Sequence, residues 1–212
     1  MANNALYLNG KLATALHTTY AATDSWTSVE VDDIIAWAVL QLWPRYSRVL
    51  DPETTTVAVV DSDYYYDLPT GVLAVSRVDR YDSAGVDYGA LHAQSWELVG
   101  DVFIGTGKLH IGGSAAIAAD VLHLHGYGRY DVTTNLIPDA LIPLVLARAR
   151  AEAYRRVAAD RERFKDWISR NQTQNVSVNE LLGFINEADA EARRLLGETP
   201  RVWQRPVQGR VG

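Results

Sequence analysis

The spacing of apolar residues changes along this chain, and that change constrains the fold more than any motif does. From Ile137 runs a long Ala/Arg/Glu segment, Ile137-Pro-Asp-Ala-Leu-Ile-Pro-Leu-Val-Leu-Ala-Arg-Ala-Arg-Ala-Glu-Ala-Tyr-Arg-Arg156, built of strong helix formers. Between Thr54 and about Tyr130 the period is shorter. There Thr55–Val60, Tyr64–Leu68, Val72–Tyr81, Trp96–Ile104, Lys108–Ile111 and Val121–Tyr127 are rich in Val, Ile, Thr and Tyr and are punctuated by Gly, Asp and Ser. They read as short antiparallel strands. Helical spacing also precedes them. Strands grouped together, with helices before and after, define an α+β chain. The expectation is a bundle of N- and C-terminal helices, a small central antiparallel sandwich or barrel, and an extended C-terminal arm.

The first helix is expected over roughly Leu6–Tyr20, with Leu8, Leu12, Ala15, Leu16 and Tyr20 on one face. Thr27 and Glu30 form a capping box for a second, whose face is Val31, Ile34, Ile35, Ala38 and Leu42, broadened by Trp37. Pro44 should stop it near Trp43. In Val72–Tyr81 neither parity is cleanly apolar, which fits an edge or interface strand. The third helix starts near Pro138 and either begins again or kinks at Pro143; a run to Ser169 would be about 40 Å long. Leu144, Ala147, Ala151, Tyr154 and Ala158 form its buried stripe. Ser177 and Glu180 cap a fourth helix packed through Leu181, Leu182, Ile185, Ala188, Ala192 and Leu195 and ended by Gly197 and Pro200. The divisions are therefore 1–53 (helices), 54–135 (β subdomain), 136–197 (helices packing with 1–53) and 198–212 (arm).

A length of 212 residues with 48% apolar residues supports a real core. The chain has no cysteine, which removes disulfides, thiolate nucleophiles and Cys-ligated metals. No run approaches the roughly 18 apolar residues of a membrane helix. Met1-Ala-Asn-Asn4 lacks a signal peptide's basic start, so use without secretion is expected. Charge is uneven within a net −6: three basic against seven acidic groups up to residue 61, four against nine over 62–135, and thirteen against ten over 136–212. A sequence-reading nucleic-acid binder would carry a basic domain. Tight DNA binding is not expected; passage of DNA past the protein is compatible.

Candidate chemistry is sparse. His123 and His125 share a strand face, and with His110 could make a three-His metal site; the alternative is ordinary strand residues. Asp61, Asp63 and Asp67 are spaced like part of a calcium loop, but its glycine and closing Glu are missing. Gly105-Thr-Gly107-Lys108 lacks the first glycine and the Ser/Thr of a phosphate loop. No catalytic residue and no cofactor is assigned. Arg148, Arg150, Arg155, Arg156, Arg161 and Arg163 interleave with Glu152, Asp160, Glu162 and Asp166, a pattern of ion pairs rather than phosphate binding. Of these, Arg148, Arg155, Arg156 and Arg163 are candidates for an intersubunit helix face. The tail Glu198–Gly212 has no hydrophobic period and is basic. Its candidate partner-binding residues are Arg201, Val202, Trp203, Gln204, Arg205, Pro206 and Arg210. Trp203 would be an anchor for a partner, or would fold back on its own domain.

Three segments carry a resemblance: Val31-Asp-Asp-Ile-Ile-Ala-Trp-Ala-Val-Leu40 with Leu42-Trp-Pro44; Tyr66-Asp-Leu-Pro-Thr-Gly71 with Val75-Ser-Arg-Val78; and Ile137-Pro-Asp-Ala-Leu141 with Ala149-Arg-Ala-Glu-Ala153. In this order they resemble the head–tail connector (adaptor) proteins of tailed double-stranded DNA phages. The resemblance implies a non-enzymatic structural protein of the virion neck, assembled in the host cytoplasm. It implies a homo-oligomeric ring, usually of twelve copies, docked on the portal protein. Such a ring extends the channel for double-stranded DNA and meets the next neck or tail protein, with no membrane involved. An acidic channel lining would repel phosphates and let the genome pass. The alternatives are another neck or tail component (a stopper, tail terminator or tube protein, mostly β-rich) and a metal-dependent hydrolase using the three histidines.

Overall fold

The computed structural model describes residues 5–21, 24–60, 64–102, 106–112, 118–131, 137–170 and 177–198. The described parts of Met1–Pro44 and Tyr130–Arg201 form a helical unit, and those of Arg45–Arg129 a β unit. The protein is α+β.

In the helical unit, α1 (Ala5–Leu16) buries Leu8, Leu12 and Leu16 at i, i+4 spacing. It stops short of the expected Tyr20 because His17 and Tyr20 take positive φ, 53° and 60°. Asp24 holds that turn, accepting from Thr18 Oγ1 and the Thr19 amide, each at 2.8 Å. Helix α2 (Ser28–Leu40) begins with the capping box anticipated from Thr27 and Glu30: each side chain accepts from the other's backbone N–H, at 3.2 and 3.0 Å.

Pro138 precedes a 3₁₀ turn, Asp139–Leu141, and Pro143 lies in the first turn of α3 (Ile142–Ala159), which settles Pro143 as a start rather than a kink. Helix α3 does not run to Ser169. Asp160 adopts extended backbone (φ −117°, ψ 115°), and its Oδ1 accepts from the amides of Glu162 (2.9 Å) and Arg163 (3.2 Å), starting α4 (Arg161–Arg170). An Asp among helix formers thus acts as an N-cap, offering the backbone a partner that helix continuation would not. Asp160→Ala is expected to cost about 1 kcal/mol, with Asp160→Asn close to wild type. Urea denaturation checks this, and equal midpoints for all three proteins would remove Asp160's capping role.

Helix α3 buries the expected Leu144, Ala147 and Ala151, while Tyr154 and Ala158 are half-buried. A second stripe, Val145, Ala149, Ala153 and Val157, is also buried. The helix is central: it packs most extensively on α5 (Val178–Glu198) and also on α1, α2 and α4. Alanine at both stripes lets neighbours approach closely on two sides. Ser177 and Glu180 cap the start of α5 reciprocally, as anticipated. There Leu181, Ile185, Ala188 and Ala192 are buried, but Leu182 is exposed and Leu195 half-buried. Tyr154, Trp167 and Phe184 bring α3, α4 and α5 together, with ring centroids 6.1–6.2 Å apart.

In the β unit every strand pairing among the described residues is antiparallel. One sheet has the order β1 (Arg48–Val49), β8 (Val121–Gly128), β4 (Val72–Tyr81), β5 (Asp87–Ala90), with β2 (Thr56–Ala58) also on β8. The other has the order β3 (Tyr65–Asp67), β7 (Lys108–Ile111), β6 (Trp96–Val99). One core, including Val57, Tyr66, Val78, Leu109, Leu122 and Leu124, draws on both sheets. Strand β4 is interior, not an edge: β8 pairs along it and β5 takes its other side at Asp79–Tyr81. Two register shifts against β8, between Val72 and Ala74 and between Val75 and Arg77, break its alternation. That is why no clean parity shows in its sequence.

Candidate functional site

The helical unit carries a cleft of about 340 Å³ lined by Trp37 of α2 and Gln41 just after it, Arg148 and Arg155 of α3, and Asp189 and Arg193 of α5. Alternating Ala and charged residues make α3 small on its packed sides and cationic elsewhere, so its arginines reach the neighbouring helices. Arg148 donates to the Gln41 carbonyl at the C-terminus of α2, where a cation also meets the helix dipole. Arg155 lies 2.6 Å from Asp189 and 3.6 Å from Glu152. Arg193 Nε donates to the Asp189 carbonyl at 3.3 Å. Nearby, Arg150 and Glu191 add a second α3–α5 ion pair at 2.8 Å.

The candidate helix-face arginines are therefore not one patch. Arg148 and Arg155 share the cleft; Arg156 pairs with Glu152 at 3.3 Å, one turn along α3. Arg163 belongs to α4, where it pairs with Glu30 and Asp160 and lies over the Trp26 ring at 4.6 Å. Burial pushes the Glu30 carboxyl up, but the Thr27 amide and Arg163 outweigh it and leave it below the usual carboxylate value. Trp37, Asp189 and Arg193 were not anticipated as cleft residues. The Asp189–Arg193 i, i+4 spacing was the available signal.

The three histidines do not converge. His123 and His125 do share a face of β8, but His110 is on β7 in the other sheet. His110 Nδ1 lies 3.0 Å from Glu97 Oε1, and its ring stacks on Tyr65 at 4.6 Å. His123 packs on Tyr81 at 4.2 Å. His125 Nε2 lies 2.8 Å from Asp79 Oδ2, whose other oxygen accepts from Arg77 Nε at 2.6 Å. Among the described residues no group of three or more His, Cys, Asp or Glu could hold a metal ion. A second buried carboxylate, Asp120, accepts from Arg80 Nε at 2.6 Å. These acids act as cross-strand ties.

Asp67 pairs with Lys108 at 3.1 Å across β3 and β7; Asp61, Asp63 and Gly105 lie outside the described residues. So do the arm residues Arg201, Val202, Trp203, Gln204, Arg205, Pro206 and Arg210. No described helix is long and apolar enough to cross a membrane.

The structure thus defines the class as an α+β protein with a helical unit and a two-sheet β unit. No protein-family model and no curated protein matches the chain. Among solved structures it is similar to the neck of an empty GTA particle computed with C6 symmetry, at 16% identity over 72% of this chain and 77% of that one. The TM-score is 0.31, too low for the likeness to carry an argument.

Proposed function

We propose that this protein is a structural component of a phage neck. Copies close into a ring, twelve in the form its resemblance implies, which docks on the portal, continues the DNA channel and joins head to tail. The observation that carries this reading is the order of its elements. Two helices precede a small antiparallel β unit in which Tyr66-Asp-Leu-Pro69 forms most of β3 and the turn after it. Ile137-Pro138 then leads into the Ala-rich helix around which α1, α2 and α5 pack. These are the segments on which the sequence resemblance rests. A net charge of −6 suits a body that DNA slides past rather than one that grips it. His110, His123 and His125, each engaged across strands or rings, suit a structural role better than a hydrolytic one.

Light scattering over a concentration series, with negative-stain imaging of the largest species, tests the reading. Closed rings with an opening wide enough for duplex DNA are expected, either alone or on the portal. A protein that stays monomeric in both settings overturns it. The arm has its own test: removing residues 198–212 is expected to leave the circular dichroism spectrum essentially unchanged and abolish portal binding. Normal docking by the truncated protein would remove the arm from the interface.

A further inference from the structure

We propose that the segment Arg201–Arg205 of one copy adds as an edge strand to Leu73–Arg77 of β4 in the next copy. The inference rests on the ring reading above and names a contact that would join its copies.

Strand β8 pairs along all of β4, but β5 takes the other side from Asp79 to Tyr81, and the Leu91 amide donates to the Val78 carbonyl at 2.8 Å. At the start of β4 the Val72 amide turns back to the Pro69 carbonyl at 3.2 Å. Between these two bonds no strand among the described residues pairs with that side of Leu73–Arg77. Ser76 and Arg77 are exposed there, and Ala74 and Val75 are half-buried. An open edge presents backbone donors and acceptors in a row, which an extended segment can take up. The register shifts between Val72 and Ala74 and between Val75 and Arg77 bend this edge. They disfavour a long flat partner, β4 of another copy included, and leave room for a short one.

One segment of the chain fits that opening. Residues 199–212 are the longest segment outside the described residues, fourteen against two to six elsewhere. Within them Pro200 and Pro206 enclose Arg-Val-Trp-Gln-Arg. Proline has no N–H and ends a ladder, so the two set a strand of five residues against an opening of five. Val202 and Trp203 are strand formers. Residues 199–212 carry three arginines and no acid, while 62–135 carry four basic groups against nine acidic. Arg77, the cation on the edge, is already met by Asp79 at 2.6 Å. Donor segment and acceptor edge are different surfaces, so the contact is head-to-tail, the kind that repeats and closes into rings.

Two measurements on the full chain test the contact. A peptide of residues 199–207 is expected to compete with self-association followed by light scattering. In a strand, alternate amides face the edge. Peptides N-methylated at Val202 and Gln204, or at Trp203 and Arg205, should therefore differ: one loses competition about ten-fold or more and the other keeps it. No competition by any peptide, or equal competition by the two methylated ones, overturns strand addition. The chain has no cysteine, so copies bearing Ser76→Cys can be mixed with copies bearing Gln204→Cys and treated with a bismaleimide. A crosslinked heterodimer is expected, well above the yield for Gln204→Cys with Glu97→Cys, which lies on the other sheet. Circular dichroism checks that each variant folds. Rings that assemble without the Ser76→Cys crosslink overturn the contact and leave the ring reading standing. So does a Ser76→Cys, Gln204→Cys double variant that links only within one copy. Failure of the wild type to assemble, with or without portal, removes both.

Discussion

Gly126→Ala is expected to cost about 3–5 kcal/mol, enough to lose the β unit at physiological temperature. Gly126 stands opposite Val75, between the two register shifts of β4. A Cβ there would lie 1.9 Å from the Ala74 carbonyl oxygen and 2.9 Å from the Val75 Cα. Those atoms are backbone, inside a paired strand, so no side chain can swing away to make room. Relief would require separating β4 from β8, the longest pairing in the sheet. Gly183 provides the contrast: it lies inside α5, and a Cβ there meets nothing within 4 Å. Gly183→Ala is expected to gain up to about 1 kcal/mol by limiting the unfolded chain. Urea midpoints should therefore move in opposite directions. A Gly126→Ala protein with the wild-type midpoint would mean that the β4–β8 register is wrong.

Asp79 carries the second large effect. Its side chain is 7% exposed and joins Arg77 on its own strand to His125 on β8. Burial alone would push its carboxyl up; the hydrogen bonds from Arg77 and His125 outweigh this and hold it below the ordinary value of 3.8. A carboxyl whose folded pKa is depressed contributes stability that is complete above the unfolded value. That contribution is lost as pH falls through the folded one. Asp79→Asn is expected to lose about 2–3 kcal/mol at pH 7. Arg77, whose side chain is 55% exposed, regains water and limits the penalty. The gap between wild type and variant should narrow as pH drops from 4 toward 2, because protonation removes the same charge from the wild type. A gap that stays constant over that range would separate Asp79's contribution from its ionisation.

The local signals that proved legible were those settled within one turn or one strand. The Thr27–Glu30 and Ser177–Glu180 boxes formed as their spacing implied, and Val72–Tyr81 and Lys108–Ile111 kept their predicted ends. What the sequence concealed depends on partners distant in the chain. The role of β4 was masked because the two register shifts scramble its parity. Strand β1 is only two residues, and β5 (Asp87-Tyr-Gly-Ala90) carries Asp and Gly, which strands disfavour; both exist because β8 and β4 offer partners. Asp160 looked like one more charge in a charged helix until its carboxylate was seen taking two amides. The cleft was half visible: Arg148 and Arg155 stood out as cations, but their meeting with Trp37 and Arg193 depends on how α2, α3 and α5 pack.

The β unit is inserted in the chain between α2 and α3, and its two ends are fastened together. Arg48 and Val49 pair with Gly128 and Tyr127, and Arg48 Nε donates to the Arg129 carbonyl at 2.9 Å. Adjacent strands lie only about 5 Å apart, a gap that a link of one or two residues can span. The chain therefore leaves and rejoins through one narrow doorway. Everything between Leu50 and Gly126 could be lengthened, trimmed or exchanged for another insert without rethreading a single helix.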